Sequence, residues 1–254
     1  SATLIGFPQE AVAFETGLGT ETRIVTGAYD HVAGALGAGN FSEGTVTETT
    51  GSSMAMVVTL DKPADNFLFN IPQQCHALEG KYLLLPYGQT AGMVLKWFME
   101  QFCKEEEQEA QKKNIDVYSL LDLQAERISP GADGLVMLPH LSGSGSPEFD
   151  ASAKGVFAGI NASMSKPHFI RAILESIACM VTHNLNMLAE AGISVQEIRA
   201  LGGGAKSALW NQIKANMANV RIVTVQGQET ASAGAAILAA RGAGFFQNIP
   251  EACE

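Results

Sequence analysis

The sequence lacks the features that define several large protein classes. None of its four cysteines forms a Cys-x-x-Cys pair, so neither a zinc site nor a disulfide framework is indicated. These cysteines are Cys75, Cys103, Cys179 and Cys253. No uninterrupted apolar run reaches the roughly 18–20 residues that span a bilayer, and the chain does not begin like a signal peptide. We therefore expect reduced thiols, no membrane partner and a cytoplasmic location.

Basic residues are also scarce. The chain has 16 lysines and arginines against 26 acidic residues, which gives a formal net charge of -10. A nucleic-acid binder needs a basic surface that displaces counterions, so nucleic acid is not an expected partner. A small anionic ligand such as ATP is still compatible with this charge, because main-chain N–H groups at helix N-termini bind phosphate locally.

Apolar residues and glycine are plentiful. Of the 254 residues 46% are hydrophobic and 17% are charged, which is typical of a folded protein with a sizeable core. This length predicts a single domain over residues 1–254. Because the chain does not open with methionine, and because its first recognisable strand comes after residue 20, we expect that it is part of a longer protein.

The last third of the chain alternates between strands and helices. Strand Ile198–Leu201 leads into helix Ser207–Asn219, and strand Val220–Val225 leads into helix Thr230–Arg241. This rhythm predicts an α/β domain with helices on the faces of a sheet. Upstream, two β-branched runs, Thr45–Thr50 and Met54–Leu60, flank a Gly-Ser-Ser turn and predict a hairpin, so the sheet should be mixed.

Further elements follow from hydrophobic spacing. A long helix is predicted at Pro167–Ala191, where apolar residues fall on one stripe. The charge run Lys104–Lys113 is typical of a solvated helix end. Other predicted strands are Arg23–Ala28, Lys81–Pro86, the buried-type Leu135–Leu138, and Gly155–Ile160; other predicted helices are His31–Gly39 and Ala91–Lys104.

Two glycine-containing turns are candidates for phosphate binding. Gly202-Gly203-Gly204-Ala205 lies between a strand and a helix, where glycine allows close approach of a ligand and the helix N-terminus favours an anion. On residues alone, a ligand site and a plain tight turn are about equally supported. Gly51-Ser52-Ser53, at the hairpin tip, offers main-chain N–H groups and two hydroxyls. Considered alone, that segment is better explained as an ordinary turn.

Asp30 is the candidate catalytic carboxylate. It follows a predicted strand in a glycine-flanked turn, where it could accept a proton from a substrate hydroxyl. On chemistry alone, an Asp that shapes an Asx-turn explains the position better. The five histidines, His31 among them, show no metal-ligand spacing.

Taken together, these segments resemble the FGGY carbohydrate kinases, the group that contains the xylulose, ribulose, gluconate and glycerol kinases. The resemblance runs from about Gly17 to Phe246. The matching segments, in family order, are Gly27-x-x-Asp30 with Ala33-Gly34-Ala35-x-Gly37, Gly44–Ser53, Ala91-Gly92 with Trp97-Phe98, Leu138–Gly143 with Lys154–Gly159, Gly203–Ser207 with Trp210, and Glu229–Ala236.

The resemblance implies a fold and a set of roles. It implies an actin-like (ribonuclease H-like) α/β domain that forms the C-terminal, nucleotide-binding half of a two-domain sugar kinase. The N-terminal half, which would carry most sugar contacts and the metal ligands, is not in this chain. The full-length protein would transfer the γ-phosphate of ATP, with Mg²⁺, to a hydroxyl of a ketose, polyol or related sugar.

Individual roles are implied in the same way. Asp30 would be the general base and His31 would contact the substrate beside it. The nucleotide would be held by Gly51, Ser52, Ser53, Gly92, Gly203, Gly204 and Ala205. The resemblance gives no metal ligands within this chain. Ala208 stands where glycerol kinases carry asparagine, which favours the pentulose-kinase members, and a homodimer is expected by analogy.

Two other classes of function are carried as alternatives. The chain could be a non-catalytic nucleotide-binding or assembly module of the actin-like superfamily, which would show no turnover. It could also belong to a chaperone-type ATPase of that superfamily, which would hydrolyse ATP without stimulation by sugar. Because half of the cleft is missing, we expect this chain alone to be inactive as a kinase.

Overall fold

A computed structural model describes residues 1–64, 70–225 and 229–252. The strands are β1 (Leu4–Gly6), β2 (Ile24–Val25), β3 (Thr45–Thr50), β4 (Met54–Leu60), β5 (Gln73–Cys75), β6 (Tyr82–Leu84), β7 (Tyr87–Gly88), β8 (Val136–Leu138), β9 (Val156–Ala158), β10 (Glu197–Leu201) and β11 (Arg221–Thr224). The helices are α1 (Glu10–Thr16), α2 (Asp30–Gly37), α3 (Gly92–Phe102), α4 (Lys104–Lys113), α5 (Val117–Ala125), α6 (Lys166–Glu190), α7 (Ala208–Ala218), α8 (Thr230–Ala243) and α9 (Ile249–Ala252).

A mixed sheet organises the molecule, as the sequence predicted. Its strand order is β11-β10-β3-β4-β6-β5, with β7 also paired to β4. β10 runs parallel to both β11 and β3, whereas β3, β4, β6 and β5 are antiparallel neighbours. The three-residue turn Gly51–Ser53 reverses the chain between β3 and β4, whereas the crossover through helix α7 makes β10 and β11 parallel.

One face of the sheet, which we call the wide face, packs on the larger core. Its strand residues include Val46, Met56 and Ile198, and they join one hydrophobic cluster with residues of α3, α5, α6 and α7. The apolar stripe that predicted the long helix is buried in this cluster. α6 begins at a capping box formed by Ser165 and His168, which satisfies main-chain N–H groups of the first turn.

The opposite face, which we call the narrow face, packs on α2 and α8. Its core is smaller and includes Leu36 of α2, Val57 and Leu83 of the sheet, and Leu238 of α8. The two helices approach each other at Gly37 and Gly234. A Cβ at Gly37 would collide with the main chain of α8, and a Cβ at Gly234 with the main chain of α2.

Most predicted elements are confirmed, with three exceptions. The strand predicted at Arg23–Ala28 is reduced to Ile24–Val25, and it is not the first strand of the chain, because β1 precedes it and pairs with it. The buried-type strand at Leu135–Leu138 instead leaves Val136 and Leu138 exposed, at 57% and 48%. Among the strands that the structure describes, β8 pairs only with β9, in a separate two-stranded sheet.

The third exception is the charge run, which is not solvated throughout. It forms α4, but the Glu106 side chain is only 8% exposed because Lys166 of α6 covers it with a salt bridge of 2.8 Å. Gln124 of α5 donates a further hydrogen bond to the same carboxylate. Those two partners, and not the local charge density, decide the burial of Glu106.

The described residues bear on two features expected from the composition, namely the state of the cysteines and the lack of a membrane-spanning segment. Cys75, Cys103 and Cys179 are free thiols, while Cys253 lies outside the described residues. Burial raises the pKa of the Cys103 thiol to about 11. None of the described helices is both long and apolar enough to cross a membrane.

Candidate functional site

A cavity of about 490 Å³ lies between the two glycine turns singled out in the sequence. Its wall contains five of the seven predicted nucleotide residues, namely Gly51, Ser52, Gly92, Gly203 and Gly204. These residues come from three separate segments of the chain, which the fold brings together. The volume lies within the range of roughly 300–1,000 Å³ that is usual for small-molecule sites.

The first glycine loop is the tip of the β3–β4 hairpin, Gly51–Ser53. Its carbonyls receive hydrogen bonds from the start of α3: Gly51 O from Gly92 N at 2.9 Å, and Ser52 O from Ala91 N at 2.8 Å. A Cβ at Gly92 would collide with the Gly51 carbonyl oxygen. The glycine at position 92 therefore allows helix α3 to begin against the hairpin tip.

The second glycine loop connects β10 to α7 and includes a 3-10 turn at Gly203–Lys206. Gly202 adopts a φ of +75°, and a Cβ there would lie 2.7 Å from the Thr50 carbonyl oxygen. A Cβ at Gly204 would lie 2.6 Å from Thr50 Cβ. The second loop thus packs directly on Thr50, the last residue of β3, which precedes the first loop. Ser207 then caps α7 by accepting a hydrogen bond of 2.9 Å from Trp210 N.

Charged side chains line the remainder of the cavity. Lys96 and Lys206 are its cations, and Asp116 and Asp122 are its carboxylates. Burial raises the pKa of Asp122, while a hydrogen bond with Ser207 opposes that shift. Main-chain N–H groups at a helix N-terminus, together with lysines, suit phosphate, whereas carboxylates suit hydroxyl or amino donors. The cavity can therefore accommodate a ligand with an anionic end and a hydrogen-bond-donating end.

The two other predicted nucleotide residues are described by the structure but lie outside this wall. The Ser53 carbonyl accepts a hydrogen bond from Gly51 N at 2.9 Å within the hairpin turn. The Ala205 carbonyl accepts one from Asn211 Nδ2 of α7, also at 2.9 Å. Trp97 is likewise not in the wall, although other residues of its helix, α3, are. Its ring makes an edge-on contact with the ring of Phe102.

Asp30 and His31 form the first turn of α2, and neither belongs to the cavity wall. The Asp30 side chain is exposed and does not point into the core. One carboxylate oxygen, Oδ1, accepts a hydrogen bond of 2.8 Å from His31 N. Burial, and secondarily the negative charge of Asp30, raises the pKa of Tyr29.

Sequence reasoning missed the polar residues beneath the glycine loops. Glu48 on β3 and Lys214 on α7 form a buried salt bridge of 2.7 Å. A signal for this pair was present, because Glu48 occupies an inward position between Val46 and Thr50 in an alternating strand. The periodicity shows that such a carboxylate is buried, but it does not identify the distant cation that pairs with it.

The described residues contain no group of three or more His, Cys, Asp or Glu side chains that could hold a metal ion. Mg²⁺ usually keeps several waters and binds through one or two carboxylates together with substrate phosphates. The donor set of the described residues therefore fits a metal ion that binds together with a nucleotide better than one held by a protein cage.

Comparisons with known proteins match the chain to sugar kinases. Residues 49–243 match the C-terminal domain of the FGGY family of carbohydrate kinases. The xylulose kinase of Bacillus subtilis is 30% identical over 96% of this chain and 47% of its own length. The gluconokinase of the same organism is 33% identical over 89% of this chain and 44% of its own length.

A solved structure shows the same similarity. The crystal structure of xylulose kinase from Rhodospirillum rubrum superposes with a TM-score of 0.83, at 28% identity, over 100% of this chain and 49% of that one. Such proteins have an actin-like ATPase fold, so the predicted fold class is confirmed. The chain spans about half the length of the curated relatives that it matches.

Proposed function

The chain belongs to the FGGY family of carbohydrate kinases, and we propose that it is the C-terminal, nucleotide-binding half of a two-domain kinase that phosphorylates a small sugar. The observation that carries the proposal is the cavity. Five residues expected to hold a nucleotide, from three segments, share one wall. Tight turns that had no shared ligand would not be expected to meet at the wall of one cavity.

ATP would bind with its phosphates at the two glycine loops. Gly51, Ser52, Gly203 and Gly204 line the cavity, and Lys96 and Lys206 add positive charge. The nucleoside end would lie towards Asp116 and Asp122, whose carboxylates can accept hydrogen bonds from ribose hydroxyls or the adenine amino group. Mg²⁺ would bind with the phosphates and neutralise their charge.

Asp30 would act as the general base. It would take the proton from the sugar hydroxyl while that oxygen attacks the γ-phosphorus, and the bond to the β–γ bridging oxygen would break to release ADP. The exposure of Asp30 supports this role, because a base on this half must face the sugar held between the halves. His31 would contact the same sugar.

The substrate class follows from the relatives. Similar proteins are named xylulose kinase and gluconokinase, so a ketose, polyol or aldonate is the class to test. The partners proposed are ATP, such a substrate, and the N-terminal half of the same protein.

The test is Asp30→Asn in the full-length protein, assayed by coupled ADP release over a panel of ketoses, polyols and aldonates. The asparagine keeps the shape of the side chain but cannot accept the proton. We expect kcat to fall about 10²–10⁴-fold, while ATP still binds.

The same assay separates the alternatives. ADP release that needs no sugar would indicate a chaperone-type ATPase, and nucleotide binding with no turnover in the unmutated protein would indicate a binding module. Sugar phosphorylation by the isolated 254-residue chain would contradict the expectation that the other half is required.

A further inference from the structure

The wide face buries a complete ion pair directly beneath the glycine loops. The side chains of Glu48 and Lys214 are both 0% exposed, and Lys214 Nζ lies 2.7 Å from Glu48 Oε2. Lys214 Nζ also donates to Thr50 Oγ1 at 2.7 Å, and the Thr50 hydroxyl donates to the other oxygen of Glu48. We call Glu48, Thr50 and Lys214 the buried triad.

The buried triad is not expected to contribute much to the free energy of unfolding. Removing two charges from water carries a penalty that their mutual attraction often fails to offset, so replacing a buried pair by well-packed hydrophobic residues of similar volume is often neutral or stabilising. The triad also cannot touch a bound ligand through its charged atoms, because they are fully enclosed. Any function that it has must act through the residues around it.

Those residues are the walls of the cavity. Thr50 directly precedes the first glycine loop, and Gly202 and Gly204 of the second loop pack against it. Lys214 lies on the helix that follows the second loop. Its Nζ sits 5.1 Å from the ring centroid of Trp210, another wall residue.

Trp210 is held from the other side as well. Its indole Nε1 donates to Leu174 O of α6 at 2.9 Å. The triad therefore joins the end of β3 to α7, and so fixes the two glycine loops relative to each other and to the aromatic wall.

We propose that Glu48 and Lys214 are positioning residues, which hold the two glycine loops at the separation that a nucleotide needs. This inference rests on the proposed nucleotide site. In low-dielectric surroundings the contact between the two charges is strong. Any movement of one loop away from the other would stretch this buried, charge-assisted contact, so the pair opposes such movement. An apolar contact of the same area would tolerate such sliding.

The decisive variant is the double replacement Glu48→Gln/Lys214→Met in the full-length protein. It removes both charges but keeps the volumes and an acceptor for Thr50. Affinity for ADP in the presence of Mg²⁺ is measured by calorimetry, and folding by circular dichroism. We expect the double variant to fold, with a melting temperature above that of the single variant Lys214→Met, and to bind ADP about tenfold or more weakly, because misplaced binding groups lose much of their effect.

The matched control is Arg171→Met/Glu175→Gln on α6, a pair whose side chains are only 9% and 14% exposed but which does not reach the glycine loops. It makes the same kind of replacement in a pair that is also largely buried. We expect ADP affinity to be unchanged there.

Thr50 gives a second test that does not depend on the double variant folding. Thr50→Val keeps the shape and loses the hydroxyl, whereas Thr50→Ser keeps the hydroxyl and loses the methyl that packs on Gly204. We expect Thr50→Val to weaken ADP binding and Thr50→Ser to leave it close to that of the unmutated protein. The reverse order would overturn the positioning role and indicate that Thr50 acts through packing alone.

The outcomes separate the two levels of proposal. If the unmutated protein binds ADP and the double variant binds it equally well, the positioning role is overturned while the nucleotide site stands. If the unmutated protein does not bind ADP, the proposed function is overturned, and the positioning role with it.

Discussion

The two faces of the central sheet each bury a polar cluster, but the clusters differ in charge. On the wide face the buried triad contains a carboxylate and an ammonium, both fully enclosed. On the narrow face the cluster is neutral: the Asn40 amide donates to Val57 O at 2.9 Å and accepts from the Thr59 hydroxyl at 2.9 Å. The first cluster lies under the glycine loops, and the second lies under the connection between α2 and β3.

The difference shows two ways in which a sheet can use polar groups. A neutral cluster whose members hydrogen-bond one another holds neighbouring segments together, and the loss of one member costs comparatively little free energy of unfolding. A buried ion pair is stable only while both partners are in place, so it makes the local geometry sensitive to each of them. The chain uses the sensitive arrangement beside the cavity and the tolerant one away from it.

The largest effect is expected from a variant that removes only one member of the charged pair. Lys214→Met leaves Glu48 buried without its cation, and we expect the free energy of unfolding to fall by about 3–5 kcal/mol. Thr59→Val is the counterpart on the narrow face, where the loss of the neutral hydrogen bond to the buried Asn40 Oδ1 should cost about 1–3 kcal/mol. Urea denaturation of both variants measures the difference. Equal losses would show that the two clusters do not differ in the way described.

A smaller effect concerns pH and the narrow face. His76 is buried there, and that burial, together with the charge of Lys81, lowers its pKa to about 4, although the main chain of Asn40 opposes the shift. The unfolded chain, with a histidine pKa near 6.5, binds the proton more readily than the folded one. Stability should therefore decrease as the pH falls from about 6.5 to about 4, by up to roughly 3 kcal/mol.

The measurement is urea denaturation at several pH values in that window, for the unmutated protein and for His76→Asn. Asparagine can still accept the hydrogen bond that Leu78 N gives to the imidazole Nδ1 at 3.1 Å. The variant should lose the pH dependence between pH 6.5 and 4. If it keeps the full slope, the titration belongs to other groups.

The smallest of the three effects concerns the helices that cover the narrow face. Gly234→Ala improves the intrinsic helix propensity of α8 by about 1 kcal/mol, but the new Cβ would collide with the Ala33 carbonyl oxygen. Overpacking should win, with a net loss of about 1–3 kcal/mol. Gly27→Ala is the matched control, since its Cβ would meet nothing within 4 Å. Thermal unfolding compares them, and a stabilised Gly234→Ala would contradict the close helix contact.

Local signals predicted much of the fold. The β3–β4 hairpin has the predicted bounds, because β-branched runs on either side of a Gly-Ser-Ser turn specify both strands and reversal. The long helix α6 was also predicted within one residue at each end, from its apolar stripe, Ser165 and Gly192. Each of these signals acts over a few neighbouring residues, which is why a sequence displays them.

The candidate site was predictable only in part. Resemblance to a family supplied Gly51, Ser52, Gly92, Gly203 and Gly204, and the cavity brings these five together. The roles of Asp30 and His31 stay predictions.

By itself the sequence determined the order of strands and helices, the mixed character of the sheet and the glycine turns at the ends of β3 and β10. The tertiary structure alone decided that Lys214 would neutralise Glu48, 166 residues away along the chain. It likewise decided that Glu106 would be buried under Lys166. The physical reason is that turn and helix preferences depend on near neighbours, whereas the energy of a buried charge depends on which distant group the fold places beside it.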